Sequence, residues 1–122
     1  MHNSIFIPLN TPSSKNSRVW TGRYFVVSKL TQKYKASTHI IWMQNKSKFH
    51  DMIEGKEKPY KIGMYFIRDS KRKSDAINLA QIICDLMVEY GWIDDDNMDE
   101  ILPVFLGYET DKKNCGVKLT VL

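Results

Sequence analysis

The chain has 122 residues, of which 43% are hydrophobic and 26% are charged. This composition is that of an ordinary globular domain and excludes a disordered or fibrous protein. No apolar run approaches the roughly 18 residues needed to cross a bilayer, and the first residues lack the basic and apolar regions of a signal peptide. We therefore expect one domain over residues 1–122, located in the cytoplasm and not associated with a membrane.

Charge is distributed unevenly along the chain. Residues 1–73 contain 15 Lys and Arg against 4 Asp and Glu, a net charge of +11, whereas residues 74–122 contain 3 against 10, a net charge of −7. A basic half attracts phosphates, but an acidic cluster beside it repels the same polyanion unless cations lie between them. This contrast points to nucleic acid and to an acidic site that uses a cation.

The first half of the chain predicts a strand, a hairpin and a long helix. Residues 4–10 alternate in polarity and run into a loop rich in Asn, Thr, Pro and Ser, which is typical of a strand followed by turns. Residues 18–27 contain two short β-type runs around a Thr-Gly pair, which predicts a hairpin. Ser28 is a suitable N-cap for a helix that reaches about Ile53, and a break is expected near residues 45–47.

The second half begins with a strand over residues 60–69. Successive side chains of a strand point to opposite faces, and apolar side chains occur on both faces of this one. We therefore expect a central strand that is buried on both faces. A helix is predicted from Ala76 to Tyr90, and Gly91 stands at a position suitable for the C′ residue that ends it. Cys84 is expected inside this helix as a reduced, buried side chain, because the two cysteines have no metal-ligand spacing.

Two further strands are predicted near the end of the chain, over residues 101–108 and 117–122. Pro103 interrupts the first of them and indicates an edge strand or a bulge. Together the elements predict an α/β (α+β) fold in which one mixed β-sheet is packed by two main helices.

A polar stripe along the second predicted helix carries the candidate chemistry. Its members are spaced by three, three and four residues, which places them on one helix face: Asp75, Asn78, Gln81 and Asp85. An acidic turn with Asp94, Asp95 and Asp96 follows the helix. Magnesium binds carboxylate oxygens, waters and phosphate oxygens, and it activates water for phosphodiester hydrolysis. Five basic residues in loops are placed to hold flanking phosphates: Lys15, Arg18, Lys71, Arg72 and Lys73.

Each acidic residue also has a structural interpretation. Asp75 stands where a helix N-cap is expected, and Asp is favoured there. Residues 94–96 are compatible with a solvated turn, and Asp85 with an ordinary surface position.

Two segments resemble the RusA family of Holliday-junction resolvases, which is common in phages and prophages. IPLNTPSSKNSR is similar to the proline-rich, lysine-bearing N-terminal loop of that family. KRKSDAINLAQIICDLMVEYGWIDDDNMDE resembles its pattern of a basic pair, Asp-x-Asp-Asn, a helix carrying Asp, a Gly and Asp-Asp. The residues in register are Asp75, Asn78, Asp85, Gly91, Asp95 and Asp96.

The resemblance implies a homodimeric endodeoxyribonuclease that binds four-way DNA junctions and cuts them symmetrically with Mg²⁺, or with Mn²⁺ in its place. In this interpretation Asp75 and Asp96 are the essential carboxylates and Asp95 lies next to the metal. The sequence departs from the family at Ile77, where the pattern has its second aspartate, and at Gln81, where a lysine is common.

These departures leave alternatives open. Asp85 lies on the same helix face and is a candidate to replace the missing metal ligand. A degenerate relative that binds branched DNA or a host protein without cutting is the second hypothesis. A third is a phage interaction module whose acidic turn mimics nucleic acid.

Overall fold

The structure is a computed structural model that describes residues 3–16 and 18–122, and at residues 16 and 18 the backbone alone. Within these ranges six strands and three α-helices follow one another along the chain, with one short 3₁₀ turn. They are β1 (Ser4–Pro8), the 3₁₀ turn (Ser14–Asn16), β2 (Arg18–Trp20), β3 (Phe25–Val27), α1 (Lys29–Gln44), α2 (Lys46–Ile53), β4 (Tyr60–Arg68), α3 (Ala76–Glu89), β5 (Ile101–Thr110) and β6 (Gly116–Val121).

Four of the strands form one mixed sheet in the order β1-β6-β4-β5. β4 runs parallel to β5 and antiparallel to β6, and β6 is antiparallel to β1. β2 and β3 form a separate two-stranded hairpin. The predicted α+β class with a mixed sheet is therefore confirmed, and β4 is central as expected.

One face of the sheet carries the hydrophobic core. Ile5 on β1, Leu119 on β6 and Met64 on β4 lie in register across three strands, and all are almost fully buried against the helices. On the opposite face Tyr65 and Ile67 are half-buried. The prediction that β4 is buried on both faces is therefore wrong for these two residues, because the helices that complete the core pack on the other side.

The helix boundaries follow local capping chemistry. The Ser28 hydroxyl accepts a hydrogen bond from the Thr31 N–H at 3.2 Å and so caps the start of α1. Asn45 separates α1 from α2, and its side-chain amide donates to the Ile41 carbonyl at 2.8 Å. The predicted long helix is thus two helices with the break where it was expected. In the described ranges every helix is too short or too polar to cross a bilayer.

The unit β4-α3-β5 determines where the candidate residues lie. β4 and β5 are parallel, with Tyr60 opposite Ile101 and Arg68 opposite Thr110. The chain must therefore return along α3 from one end of these strands to the other. α3 begins near the carboxyl end of β4, and the acidic turn over residues 93–100 lies beyond its other end, just before β5.

The edge strand β5 contains the irregularity that Pro103 suggested, although the strand is continuous over ten residues. The register shifts between Met64 and Tyr65, whose partners are Phe105 and Gly107, so that Leu106 is the extra residue of a β-bulge. Gly63 leaves space for this residue, because a Cβ there would lie 2.6 Å from Leu106 Cδ1. The bulge thereby changes which β5 side chains share a face.

Candidate functional site

The polar face of α3, formed by Asp75, Asn78, Gln81 and Asp85, is accessible to solvent. The helix buries the opposite stripe, which includes Leu79, Ile82, Ile83 and Leu86, against the sheet. This division follows from the 3.6-residue period, because an apolar stripe directed at the core leaves the remaining positions facing water. The sequence prediction of a polar face is confirmed.

Asp75 occupies the N-cap position of α3 with an extended backbone conformation, φ −89° and ψ 126°. Its backbone carbonyl accepts the first hydrogen bonds of the helix, but within the described chain its carboxylate makes no capping hydrogen bond. Oδ2 instead accepts from Asn78 Nδ2 at 3.3 Å and lies 3.5 Å from Lys15 Nζ. The Asp75 carboxylate is therefore directed along the polar face and not into the helix end.

The 3₁₀ turn brings the N-terminal loop against this carboxylate. Ser14 Oγ donates to Asn78 Oδ1 at 3.2 Å, and Lys15 contributes the ion pair with Asp75. Both members of the pair are largely exposed, so it contributes little stability and Lys15 can exchange Asp75 for another anion at small cost. The predicted phosphate contact of Arg18 lies outside the described residues, since its side chain is not described.

Asp85 and Asp96 meet around a neutral side chain. Gln81 Nε2 donates to Asp85 Oδ1 at 2.9 Å and lies 3.5 Å from Asp96 Oδ2. The acidic turn thus folds back over α3 far enough to return Asp96 to the polar face. Two carboxylates share one amide donor at this point, which is an arrangement that a cation would stabilise.

The Asp95 carboxylate accepts hydrogen bonds from residues of its own turn. Its Oδ1 accepts from the Asp96 N–H at 2.7 Å, and its Oδ2 accepts from Asn97 Nδ2 at 3.2 Å. The turn is anchored further along by Lys58, whose Nζ lies 2.8 Å from Glu100 Oε2 and 3.7 Å from Asp94 Oδ2. The hydrogen bond with Glu100 raises the pKa of Lys58, which therefore stays charged through neutral pH. Asp95 supports the conformation that presents Asp96.

Asp75 and Asp85 lie at two separate places along α3. Ten residues separate Asp75 from Asp85, which is about 15 Å along a helix axis. Two Asp side chains cannot bridge that span to a single ion. Across residues 3–16 and 18–122, three His, Cys, Asp or Glu side chains nowhere gather into a cluster able to hold a metal.

The donor set at Asp85 and Asp96 is the part that fits magnesium. Mg²⁺ takes one or two protein carboxylates and completes its shell with waters and substrate phosphates. Asp85 and Asp96 supply two carboxylates, and Gln81 contributes a side-chain oxygen if its amide reorients. Asp75 forms a separate acidic group with Asn78 and Lys15. The tertiary arrangement therefore favours Asp85 over Asp75 as the partner of Asp96.

Ile77, which stands where the resembled family pattern has its second aspartate, is exposed on the surface of α3. Its side chain is 83% exposed, one position away from the polar face and beside Ala80 and Pro103. An exposed isoleucine at the start of a helix gains nothing from burial, so core packing does not explain it. The structure offers no carboxylate at this position.

A cleft of about 600 Å³ opens at the start of α3. The basic turn, Lys71, Arg72 and Lys73, forms one wall, and Asp75 lies at its rim. The three predicted phosphate-binding residues of this turn are all exposed, and each reaches the same cleft. The structure thus brings the basic turn and one predicted acidic residue together.

Arg68 is a residue that the sequence analysis missed. It ends β4, lines the same cleft, and donates from Nη1 to the Thr11 carbonyl at 2.6 Å and from Nη2 to Ser74 Oγ at 3.4 Å. Partial burial lowers the pKa of this guanidinium. Arg68 therefore ties the N-terminal loop to the basic turn. An Arg at the end of a largely apolar strand was the available signal.

Cys84 lies beneath the acidic pair. Burial raises the pKa of the thiol to about 12, with the charges of Asp96 and Asp85 acting in the same direction. A thiol with that pKa is protonated at neutral pH and is a poor nucleophile or metal ligand. The prediction of a reduced, buried helix residue is confirmed.

Comparisons with known proteins give no family assignment. No protein-family model matches the chain, and a search of curated proteins finds no significant match.

Proposed function

We propose that this protein is a Mg²⁺-dependent, structure-selective endodeoxyribonuclease that resolves four-way DNA junctions, the activity implied by its resemblance to the RusA family. One observation carries the proposal: the polar face of α3 begins with Asp75 at the rim of a cleft walled by cationic side chains and continues to the Asp85 and Asp96 pair. Cationic side chains suited to phosphate and carboxylates suited to a metal thus occur on one surface, which supports the proposal.

Each group of residues has a distinct role in this proposal. Lys71, Arg72 and Lys73 bind phosphates that flank the scissile bond, Lys15 adds a cation from the N-terminal loop, and Arg18 remains a predicted phosphate ligand. Asp85 and Asp96 would hold the metal ion. When bound, Mg²⁺ neutralises charge on the phosphate and activates a water for in-line attack.

The remaining polar residues position these groups. Asn78 and Lys15 hold the Asp75 carboxylate at the cleft, and Gln81 holds Asp85 and Asp96 on the same face. Asp95 fixes the turn that presents Asp96. A symmetric cut of a four-way junction requires two such sites, so the proposal includes a homodimer, acting in the cytoplasm of a bacterial host.

The test is a synthetic four-way DNA junction incubated with the protein and Mg²⁺ or Mn²⁺. Paired symmetric nicks are expected from the wild type, and Asp96→Asn and Asp85→Asn should lower their rate by about 100-fold or more while junction binding persists. Asp51→Asn, which alters an exposed carboxylate on α2, is the matched control and should cut normally. A junction that is tightly bound but stays intact with both metals would exclude the nuclease.

A second candidate is a protein that binds branched DNA, or a host protein, without cutting. The exposed Ile77 and the neutral Gln81 favour it, because each stands where the resembled family carries a charged residue. The variant Ile77→Asp separates the two functions. Cleavage by this variant but not by the wild type would identify a degenerate site, whereas cleavage by the wild type that is lost in Asp96→Asn identifies an active one.

A further inference from the structure

The cleft at the start of α3 is lined by aromatic as well as basic side chains. Phe66, Phe105 and Tyr108 line it together with Lys71, Arg72 and Lys73. The rings form a row, with centroids 6.3 Å apart between Phe66 and Phe105 and 6.5 Å apart between Phe105 and Tyr108, at interplanar angles of 29° and 21°. The cleft therefore combines a stacked aromatic surface with a cationic wall.

The β-bulge creates this row. Residues three apart on a regular strand face opposite sides of the sheet, because side chains alternate with a period of two. Because Leu106 is an extra residue, Phe105 and Tyr108 lie on the same face of the sheet. They pair in register with Met64 and Phe66 of β4, respectively. β-bulges frequently redirect side chains next to functional sites.

Two of the three rings, Phe105 and Tyr108, are exposed to solvent. Phe66 is 1% exposed, whereas Phe105 is 52% and Tyr108 68% exposed. Both exposed rings line the cleft. Two neighbouring exposed aromatic residues expose substantial apolar area that a bound planar group would bury.

The chemistry of the cleft selects a ligand with a flat aromatic ring and a nearby anion. A nucleotide has both: its base can stack on Phe105 or Tyr108 while its phosphate lies against Lys71, Arg72 or Lys73. The cleft volume is within the ~300–1,000 Å³ range of binding sites for ligands of this size. A purely apolar protein segment would leave the basic wall without a partner.

We infer that this cleft binds one unpaired nucleotide of a DNA strand, with the base stacked on the Phe105 and Tyr108 rings and the backbone phosphate held by the basic turn. Paired bases in a duplex present only their edges, so the cleft distinguishes unstacked from stacked DNA. The inference rests on the proposed function for the choice of DNA, and it assigns the recognition of unpaired structure to residues outside the acidic face.

The test uses a short single-stranded oligodeoxynucleotide that contains one 2-aminopurine, whose fluorescence is quenched on stacking, in buffer with EDTA so that no strand is cut. Binding should quench the probe. Tyr108→Ala should remove most of the quenching and weaken binding by about 5- to 100-fold, and Tyr108→Trp should restore both. Because Tyr108 is mostly exposed, its substitution should leave the fold intact.

Matched controls isolate the stacking contribution. Ile40→Ala removes a similarly exposed apolar side chain, 63% exposed on α1 and outside the residues that line the cleft, and should leave single-strand affinity unchanged. The same sequence as a blunt duplex should bind with an affinity that Tyr108→Ala does not alter. Equal loss for single strand and duplex, or no loss for either, would overturn the inference.

A free deoxynucleotide monophosphate supplies the last comparison. It should compete for the cleft far more weakly than the strand, because only one phosphate reaches the basic turn. Competition as strong as that of the strand would make this a free-nucleotide site and overturn strand recognition. The result also distinguishes failure of the nuclease proposal from failure of this inference. Quenching that depends on Tyr108, in a protein that does not cleave junctions, would support nucleotide binding in the cleft and exclude the nuclease activity.

Discussion

Gln81 on α3 and Asp96 in the acidic turn are fifteen residues apart in the chain, yet the Gln81 amide nitrogen lies 3.5 Å from Asp96 Oδ2. The same nitrogen donates to Asp85 at 2.9 Å. A single neutral donor thus stands between two carboxylates whose mutual repulsion would otherwise separate them. A metal-binding measurement can therefore test the proposed cation site at this pair.

Metal affinity should respond to the charge at position 81. Gln81→Lys places an ammonium group between the two carboxylates, and it should weaken Mn²⁺ binding by about tenfold or more because the built-in cation competes with the metal. Isothermal titration calorimetry measures this. Asp96→Asn should weaken binding similarly, whereas Asp75→Asn should have a smaller effect. Equal affinity in the wild type and Gln81→Lys would place any metal elsewhere.

The basic turn should contribute to DNA affinity through counterion release. Each phosphate contact contributes about 0.9 to the slope of log affinity against log salt for duplex DNA, so Arg72→Ala should reduce the slope by about 1. Titrations of junction DNA over a range of salt concentrations provide the measurement. Lys33→Ala, an exposed position on α1, is the control and should keep the wild-type slope. An unchanged slope in Arg72→Ala would show that Arg72 of the basic turn does not contact a DNA phosphate.

The two cysteines should differ in reactivity. Burial raises the pKa of Cys84 to about 12, so its reactive thiolate is nearly absent in the folded protein at about pH 8, while Cys115 is only half-buried. A thiol reagent should therefore label one cysteine in the native protein and both after denaturation. Cys115→Ser should abolish the native signal. Fast native labelling of Cys84 would show that α3 opens.

The raised pKa of Cys84 also predicts how the free energy of unfolding depends on pH. The folded-state pKa of Cys84 is raised above the unfolded value of 9.0, so the folded state retains the proton longer than the unfolded state does. This contribution to stability is complete below about pH 9 and is lost as the pH rises toward 12. Cys84→Ala should flatten the alkaline decline in a urea unfolding series. An identical decline in the variant would assign it to other groups.

The contact between Gly63 and Leu106 should control the stability of the bulge. Gly63→Ala brings a methyl group to 2.6 Å from Leu106 Cδ1, so the Leu106 side chain must move, at a cost of about 1 to 3 kcal/mol. Removing the obstructing side chain in Gly63→Ala with Leu106→Ala should recover part of that loss. Urea unfolding of the four members of this cycle measures the coupling. Strictly additive effects would show that the two residues do not compete for space.

The local sequence pattern was sufficient to predict these features of the secondary structure and part of the candidate site. The helix break at Asn45, the end of α3 before Gly91, and the common face of Asp75 and Asp85 all follow from capping residues and the helical period. Gly91 has the positive φ of 73° expected of a C′ glycine. These features depend on residues close together in the chain, which a sequence displays directly.

The composition of the site depended on contacts between distant segments. The acidic motif predicted one centre, but helix length separates Asp75 from Asp85, and the path of a turn decides that Asp96 meets Gln81. The bulge opposite Met64 and Tyr65 likewise decides that Phe105 and Tyr108 share a face. The acidic face and the basic turn were therefore determined by the sequence alone. Which carboxylates pair, and which aromatic rings reach the basic turn, were decided by strand pairing and chain path, since no local periodicity encodes them.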